Sequence, residues 1–140
     1  MEVKKYSGED IDKVIDSVTN FLFKHLEEYG DKLEDIRRCA VYARDKGGKV
    51  IIANKEGQIV GAVILNETGM SGYIPENMLV YIAVNSKIRG EGIGKKLMEE
   101  AVECTEGDIA LHVEKDNPAR FLYEKVGFTN PYLEMRYKRK

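Results

Sequence analysis

The chain of 140 residues contains no tryptophan, only three prolines and only two cysteines. Few prolines together with 43% apolar residues exclude collagen-like, mucin-like and disordered proteins. No uncharged apolar run approaches the ~18 residues of a membrane-spanning helix, and the polar N-terminal segment lacks the apolar stretch of a signal peptide. Cys39 and Cys104 form no C-x-x-C pair, so we expect two reduced thiols in a cytoplasmic protein. We expect neither a metal site nor a membrane partner.

The charges are nearly balanced, with 24 acidic and 22 basic residues and a net charge of -2 at pH 7. This balance provides no broad positive field for a nucleic-acid partner. The length is typical of one domain, which we expect to span residues 1–140. One local exception is an acidic cluster, defined here as Glu27, Glu28, Asp31, Glu34 and Asp35. The cluster is either a solvated helix junction or an electronegative rim that attracts a cationic substrate.

Apolar periodicity divides the chain into helices and strands. Ser7 is a candidate N-cap for a first helix that ends near Gly30, and Asn117 followed by Pro118 has the form of a helix start. The predicted helices cover residues 7–30, 33–43, 93–104 and 117–125. The predicted strands cover residues 3–6, 49–53, 58–65, 78–84, 109–113 and 133–137. Hairpin-joined strands followed by helix-linked strands predict a mixed sheet with helices on its faces, an α/β or α+β fold.

The most informative segment follows the strand that ends at Val84 and opens the next helix. Glycine at positions 90, 92 and 94 removes the Cβ atoms, so a ligand can approach the main chain. The free N–H groups of the first helical turn and the helix dipole favour an anion, and Arg89, Lys95 and Lys96 add positive charge. We therefore expect a phosphate or pyrophosphate at this turn, the alternative being an ordinary tight turn.

Two known phosphate-binding motifs do not match the turn. A Walker A loop needs glycine where Arg89 stands and serine or threonine where Lys96 stands. The dinucleotide fingerprint needs glycine where Lys95 stands. What remains is a G-x-G pair preceded by an arginine three positions upstream.

This remaining pattern, Arg89-x-x-Gly92-x-Gly94, resembles the acyl-CoA motif of the GNAT superfamily of N-acetyltransferases. Residues 82–84 precede Arg89 at the offset that the family uses. Residues 117–128 are similar to the family stretch N-x-x-A-x-x-L-Y-E-K-x-G-F, with one residue fewer after Asn117. The resemblance covers residues 48–137 well and the N-terminal helices by their order only.

The resemblance implies an acyl-CoA N-acyltransferase-like fold with a mostly antiparallel central sheet, and acetyl-CoA (coenzyme A) as the acyl-donor substrate without a metal. The strand backbone would pair with the pantetheine arm, and the amides of the turn would hold the pyrophosphate. Asn117 would bond the cofactor near the pantetheine, and Tyr123 would lie beside the thioester sulfur and protonate the departing thiolate. The implied cofactor-binding residues are Ile82, Ala83, Val84, Arg89, Gly90, Glu91, Gly92, Ile93, Gly94, Lys95, Asn117 and Tyr123.

The implied reaction is direct transfer of an acetyl group from acetyl-CoA to a primary amine of a small molecule or a protein. The amine must lose a proton before it attacks, and many family members place a Glu base where this chain has Met78. Glu76 is the candidate base if the strand extends that far, and a water path along backbone groups is the alternative. His25 and His112 lack a motif that would make them catalytic, so we expect both to be structural.

No motif identifies the acceptor. The acidic cluster and Glu76 favour a cationic amine such as a polyamine, an aminoglycoside, lysine or a protein N-terminus. A homodimer is compatible with the sequence. Because Met78 occupies the usual base position, a catalytically weak acyl-CoA-binding regulatory module is the main alternative. A non-enzymatic interaction domain is the third.

Overall fold

Within residues 1–139, which the computed structural model describes, five β-strands form one sheet with two α-helices on each face. The strands are β1 (Glu2–Tyr6), β2 (Gly48–Lys55), β3 (Gln58–Glu67), β4 (Asn77–Val84) and β5 (Ile109–Leu111). The α-helices are α1 (Ile15–His25), α2 (Leu33–Asp45), α3 (Ile93–Glu103) and α4 (Arg120–Val126). Short 3₁₀ helices cover Gly8–Lys13, Glu27–Tyr29 and Ser86–Ile88.

The strands lie in the sheet in chain order, β1-β2-β3-β4-β5. Neighbours among β1 to β4 are antiparallel, whereas β5 runs parallel to β4. Glu56 and Gly57 join β2 to β3 with φ angles of 54° and 77°, and positive φ at both positions is typical of a two-residue type I′ hairpin. The predicted mixed sheet and its hairpin are confirmed.

The sheet separates two apolar cores. Helices α1 and α2 cover one face, where Leu22 and Ile36 are completely buried. Helices α3 and α4 cover the other, where Leu97 and Met98 are completely buried. Strand β3 is buried on both faces, which explains why residues 60–65 form a nearly continuous apolar run. In the described part of the chain, no helix combines the length and apolarity needed to cross a membrane.

The predicted first helix is divided in two. A 3₁₀ helix over Gly8–Lys13 precedes α1, because the backbone of Val14, with φ −126° and ψ 0°, interrupts the α-helical hydrogen bonding. Ser7 is extended, as an N-cap residue should be, but its hydroxyl makes no capping bond. Apolar spacings of three and four residues occur on both helix types, so the sequence pattern alone did not reveal the break.

The predicted final strand is wrong. Residues 133–137 form no strand, and Leu133, Met135 and Tyr137 are exposed. Alternation of apolar and polar residues becomes a strand only where a neighbouring strand supplies hydrogen bonds, and no described residue pairs with this segment. The predicted strand at 109–113 is likewise shorter, because β5 ends at Leu111 and leaves His112 outside the sheet.

A β-bulge at Val80 changes the faces of β4. Ile64 pairs with Tyr81 and Leu65 with Leu79, so Val80 is the extra residue on its strand. Before the bulge, Leu79 packs in the core under α3. After it, Tyr81 packs in the core under α1 and α2. The bulge therefore aims the tyrosine at the opposite side of the sheet from Leu79.

We predict that Gly48→Ala destabilises the fold much more than Gly69→Ala. Both glycines have positive φ, but a Cβ on Gly48 would lie 2.1 Å from the Leu65 carbonyl oxygen, whereas one on Gly69 meets nothing within 4 Å. We expect Gly48→Ala to lower the free energy of unfolding by about 3 kcal/mol and Gly69→Ala by about 1 kcal/mol. Chemical denaturation measures both values, and equal losses would show that backbone strain alone controls the effect.

Candidate active site

The candidate site is a cleft that opens where β4 and β5 separate. The two strands pair over three positions, from Asn77 with Ile109 to Leu79 with Leu111. Strand β4 then continues to Val84, while β5 has already ended. The outer edge of β4 beyond Leu79 therefore has no strand partner among residues 1–139.

The backbone groups that face this cleft follow from the antiparallel pairing of β3 and β4. The Asn85 N–H donates to the Val60 carbonyl oxygen over 2.9 Å, so the backbone N–H of Asn85 points toward β3. The backbone N–H and C=O groups of successive strand residues point alternately to the two neighbouring sides. Those of Ala83 therefore also point toward β3, and those of Ile82 and Val84 point into the cleft. The cleft thus presents a row of unpaired donors and acceptors, as an edge strand does to an added peptide.

The glycine-rich turn lies at the end of this row. Gly90 and Gly92 have φ angles of 91° and 80°, and a Cβ on either would meet nothing within 4 Å. The Lys96 N–H donates to the Gly92 carbonyl oxygen and closes the first turn of α3. In the part of the chain that the structure describes, the three preceding N–H groups, from Ile93 to Lys95, have no recorded acceptor. The turn is open to a ligand and has free donors.

Gly94 has less open space around it than the other two glycines of the turn. A Cβ at this position would lie 3.0 Å from Leu122 Cδ2 and 3.7 Å from Val84 Cγ2. Its missing side chain therefore lets α3 approach α4 and the end of β4, instead of leaving room for a ligand. Of the three glycines, only Gly90 and Gly92 border open space.

Two charged side chains of the turn, Arg89 and Glu91, are already engaged. The Arg89 guanidinium donates to the His25 carbonyl oxygen over 3.4 Å and lies 3.9 Å from Glu27 Oε1. Glu91 pairs with Lys55 over 3.2 Å. Arg89 thus fastens the turn to the end of α1, while Lys95 is exposed beside the free amides.

Tyr123 lies on α4, in the core that also contains Ile82 and Leu79. It is 7% exposed, and burial raises the pKa of its phenol to about 12. Its hydroxyl has no recorded hydrogen bond within residues 1–139. Every fully buried side-chain oxygen or nitrogen in that range has a hydrogen-bond partner, so the Tyr123 oxygen is not fully buried. The hydroxyl therefore retains contact with solvent while the ring is buried.

Asn117 caps the turn that leads into α4. Its Oδ1 accepts a hydrogen bond from the Ala119 N–H over 2.9 Å. The α-helix itself begins at Arg120, three residues after the predicted start, because the intervening residues form a tighter turn. The capping interpretation is correct for the Oδ1 atom, and the side-chain N–H₂ group remains available.

Glu76 lies just before β4, which begins at Asn77, so the strand does not extend as far as its predicted role as a base required. Its carboxylate accepts from the Asp108 N–H over 3.1 Å and packs against Gly107. About 13 Å of extended chain separates Glu76 from Val80, where the cleft opens. The carboxylate therefore supports the loop that precedes β5.

The segment between α1 and α2, residues 26–32, contacts the site in three places. Beside the Arg89 contacts, the Tyr29 hydroxyl donates to the Asp116 carbonyl oxygen over 3.5 Å, and the Tyr81 hydroxyl donates to Asp31 Oδ2 over 2.5 Å. The segment thus connects the glycine turn, β4 and the chain before α4. The Tyr81 contact was not predicted from the sequence, although a tyrosine within an apolar strand signals a buried hydroxyl that needs a partner.

The two histidines lie outside the cleft's hydrogen-bonding row. His25 is buried and stacks on Phe21 with ring centroids 4.4 Å apart, and burial lowers its pKa. His112 follows the end of β5. Among residues 1–139, no three His, Cys, Asp or Glu side chains are placed so that together they could hold a metal ion.

Comparison with known proteins identifies relatives of the chain. Residues 46–130 match the family model described as an acetyltransferase (GNAT) domain. A "5-NmdU N-acetyltransferase" of Pseudomonas phage PaMx11 is 36% identical over 84 residues, which cover 59% of this chain and 58% of the phage protein. The chain thus matches just over half the length of that relative. An "Uncharacterized N-acetyltransferase" of Archaeoglobus fulgidus is 31% identical over 108 residues, 74% of this chain and 72% of the archaeal protein.

Solved structures share the fold. The crystal structure of a probable acetyltransferase has a TM-score of 0.74 at 20% identity, over 100% of this chain and 97% of that one. A ribosomal-protein-alanine N-acetyltransferase from Brucella melitensis has a TM-score of 0.70 at 16% identity, over 99% and 100% of the two chains. The family match and the archaeal relative show that the chain belongs to the GNAT family of acetyltransferases.

Proposed function

We propose that the chain transfers an acetyl group from acetyl-CoA directly to a primary amine. The observation that carries the proposal is the continuity of two binding surfaces. The open edge of β4 leads, within a few residues, into the free amides at the start of α3. An extended arm with amide groups followed by a pyrophosphate fits these surfaces in that order.

The donor is held chiefly by the main chain. The N–H and C=O groups of Ile82 and Val84 bind the pantetheine arm, as an added strand would be bound. The free amides of Ile93 to Lys95 bind the pyrophosphate, and Lys95 adds a positive charge. The free N–H₂ group of Asn117 bonds the cofactor from the opposite wall of the cleft.

Tyr123 is the proposed general acid. The amine nitrogen attacks the thioester carbon, the C–S bond breaks with its electron pair passing to sulfur, and the phenol gives its proton to that sulfur. Because burial raises the pKa of Tyr123 to about 12, the hydroxyl still holds its proton at neutral pH. Solvent then returns a proton to the phenolate, and the product amide loses the proton that the amine carried. Cleft-facing N–H groups of β4 stabilise the oxyanion.

The amine must be neutral when it attacks. An ammonium with pKa ~10.4 is rarely neutral at pH 7, so a proton acceptor assists. Glu76 as this base stays a prediction, and its bond to the Asp108 N–H favours the other interpretation, in which water in the open cleft accepts the proton.

The proposed acceptor is a cationic primary amine. The acidic cluster lies on or next to residues 26–32, which border the cleft. A carboxylate-rich rim concentrates cations and repels anions. The phage relative is named for N-acetylation of 5-NmdU, which extends the amines worth testing beyond polyamines, aminoglycosides, lysine and protein N-termini.

We also propose that the protein acts in a reducing, cytoplasmic compartment. Cys39 and Cys104 are free thiols. They pack against the cores on opposite faces of the sheet, so they cannot join in one disulfide.

A second candidate function is regulation by acyl-CoA without turnover. The observation that favours it is Met78, an apolar residue where many family members have a glutamate base. Release of free thiol from acetyl-CoA across a panel of amines separates the two functions. Amine-dependent release supports the transferase, and tight CoA binding without release by any amine supports the regulatory module.

Gly92→Asp should weaken CoA binding by well over tenfold, whereas Gly92→Asn should weaken it about threefold at most. Both side chains tolerate the left-handed conformation of Gly92 better than other residues do. They differ in the negative charge that Asp brings to the start of α3, where the pyrophosphate is expected. Titration calorimetry with CoA measures both affinities. Equal CoA affinities of the two variants would show that the pyrophosphate does not bind at this turn.

Tyr123→Phe should reduce the single-turnover rate by ~10²-fold or more, the usual range for loss of a general acid. CoA affinity should change less than tenfold, since one hydrogen bond contributes about 0.5–1.5 kcal/mol. Rapid-quench measurement of the chemical step avoids masking by slow product release. Tyr73→Phe, at a tyrosine that is 82% exposed, is the control. A full single-turnover rate in Tyr123→Phe would leave solvent as the proton source.

A further inference from the structure

We propose that Asp31 binds the second positive charge of an acceptor that carries two amines. This inference rests on the proposed function and specifies its acceptor class. One amine of such a substrate reacts at the thioester, and the other, still protonated, pairs with the Asp31 carboxylate. A primary amine without a second cation lacks this contact.

The position of Asp31 is fixed by a buried tyrosine. Tyr81 is 8% exposed and follows the bulge at Val80, which turns it toward α1 and α2. Its hydroxyl donates to Asp31 Oδ2 over 2.5 Å, across 50 positions of the sequence. The segment between α1 and α2 thereby places one carboxylate beside β4.

The Asp31 carboxylate has no cationic partner among residues 1–139. Two arginines of this region pair elsewhere: Arg89 lies beside Glu27, and Arg38 lies 3.5 Å from Asp35. Burial and the adjacent Asp31 carboxylate raise the pKa of Tyr81, so the phenol remains a donor and adds no charge of its own. The Oδ1 atom of Asp31 has no recorded bond to the described residues, so it can accept from a ligand.

Asp31 and Tyr123 lie on opposite sides of the proposed donor. Tyr81 packs in the core under α1 and α2, whereas Tyr123 packs in the core under α3 and α4. The backbone of Ile82, next to Tyr81, faces the cleft between them. An amine held from the Asp31 side would approach the thioester on the side away from the general acid, which suits attack on one side and protonation of sulfur on the other.

Asp31 acts as an anchor and not as the base. The Tyr81 hydroxyl already holds its carboxylate, on the face of the sheet opposite the core that contains Tyr123. The carboxylate is well suited to a charge-assisted hydrogen bond with an ammonium that stays protonated. Its effect should therefore appear in the KM of a diamine and leave the chemical step nearly unchanged.

The test compares 1,4-diaminobutane with 1-aminobutane, which have the same carbon skeleton and differ in the second amine. Asp31→Asn is the decisive variant, because an amide oxygen can still accept from the Tyr81 hydroxyl while the charge is lost. At low salt we expect its KM for the diamine to rise about tenfold, with kcat within about twofold and CoA affinity unchanged. The KM for 1-aminobutane should not change. Glu103→Gln, at an exposed carboxylate that ends α3 and lies outside the acidic cluster, is the control and should change the diamine KM less than twofold.

Several results would overturn the proposal. If Asp31→Asn raises the KM for both amines equally, Asp31 only holds residues 26–32 in place and does not bind the second amine. If wild-type protein shows no preference for the diamine, Asp31 is not an anchor for a second positive charge. If wild-type protein releases no thiol with any amine, the proposed function fails, and calorimetric titration of the CoA complex with 1,4-diaminobutane decides the anchor separately. Binding that is lost in Asp31→Asn supports it, and absence of binding to wild-type protein contradicts it.

Discussion

The site depends on one feature of the sheet, the separation of β5 from β4 after three paired positions. Unpaired backbone groups in a sheet are costly unless water or a ligand satisfies them, so the free edge at Ile82 and Val84 is a surface that favours an extended partner. The same strand runs directly into the glycine turn, and the missing side chain of Gly94 lets α3 pack closely enough to align its free amides with that edge. The fold therefore creates a continuous main-chain surface from strand to helix.

The two cores divide the chemistry between the faces of the sheet. The core under α3 and α4 holds the Tyr123 ring and leaves its hydroxyl in contact with solvent, and burial keeps that hydroxyl protonated. The core under α1 and α2 holds Tyr81, which positions Asp31. The bulge at Val80 makes this division, because without the extra residue the side chains that follow it would exchange faces. Family membership sets the class of reaction, and in the proposed function the side chains on these two faces adapt it to an acceptor.

The sequence predicted the parts of the fold that depend on local chemistry. The apolar runs identified β2, β3 and β4, and the glycine spacing identified the turn before α3, because both signals arise from neighbouring residues. The close approach of Gly94 to Leu122 could not be predicted, because the two residues are distant in sequence. Residues 133–137 have the alternation of a strand, but a strand also needs a partner. The Tyr81–Asp31 contact joins residues 50 positions apart, and no local pattern encodes it. Glu76 as the base stays a prediction, because the direction of its side chain depends on where β4 begins, and no local pattern fixes that boundary.

The claim that the open edge of β4 holds the pantetheine arm can be tested residue by residue with amide hydrogen exchange followed by NMR, in the presence and absence of saturating CoA. The account predicts that the amides of Ile82 and Val84, together with those of Gly94 and Lys95, become protected on binding. Ala83, whose N–H already faces β3, should show little change and serves as the internal reference. CoA binding that leaves the Ile82 and Val84 amides exchanging at their free rates would contradict the account, because the donor would then lie elsewhere on the protein.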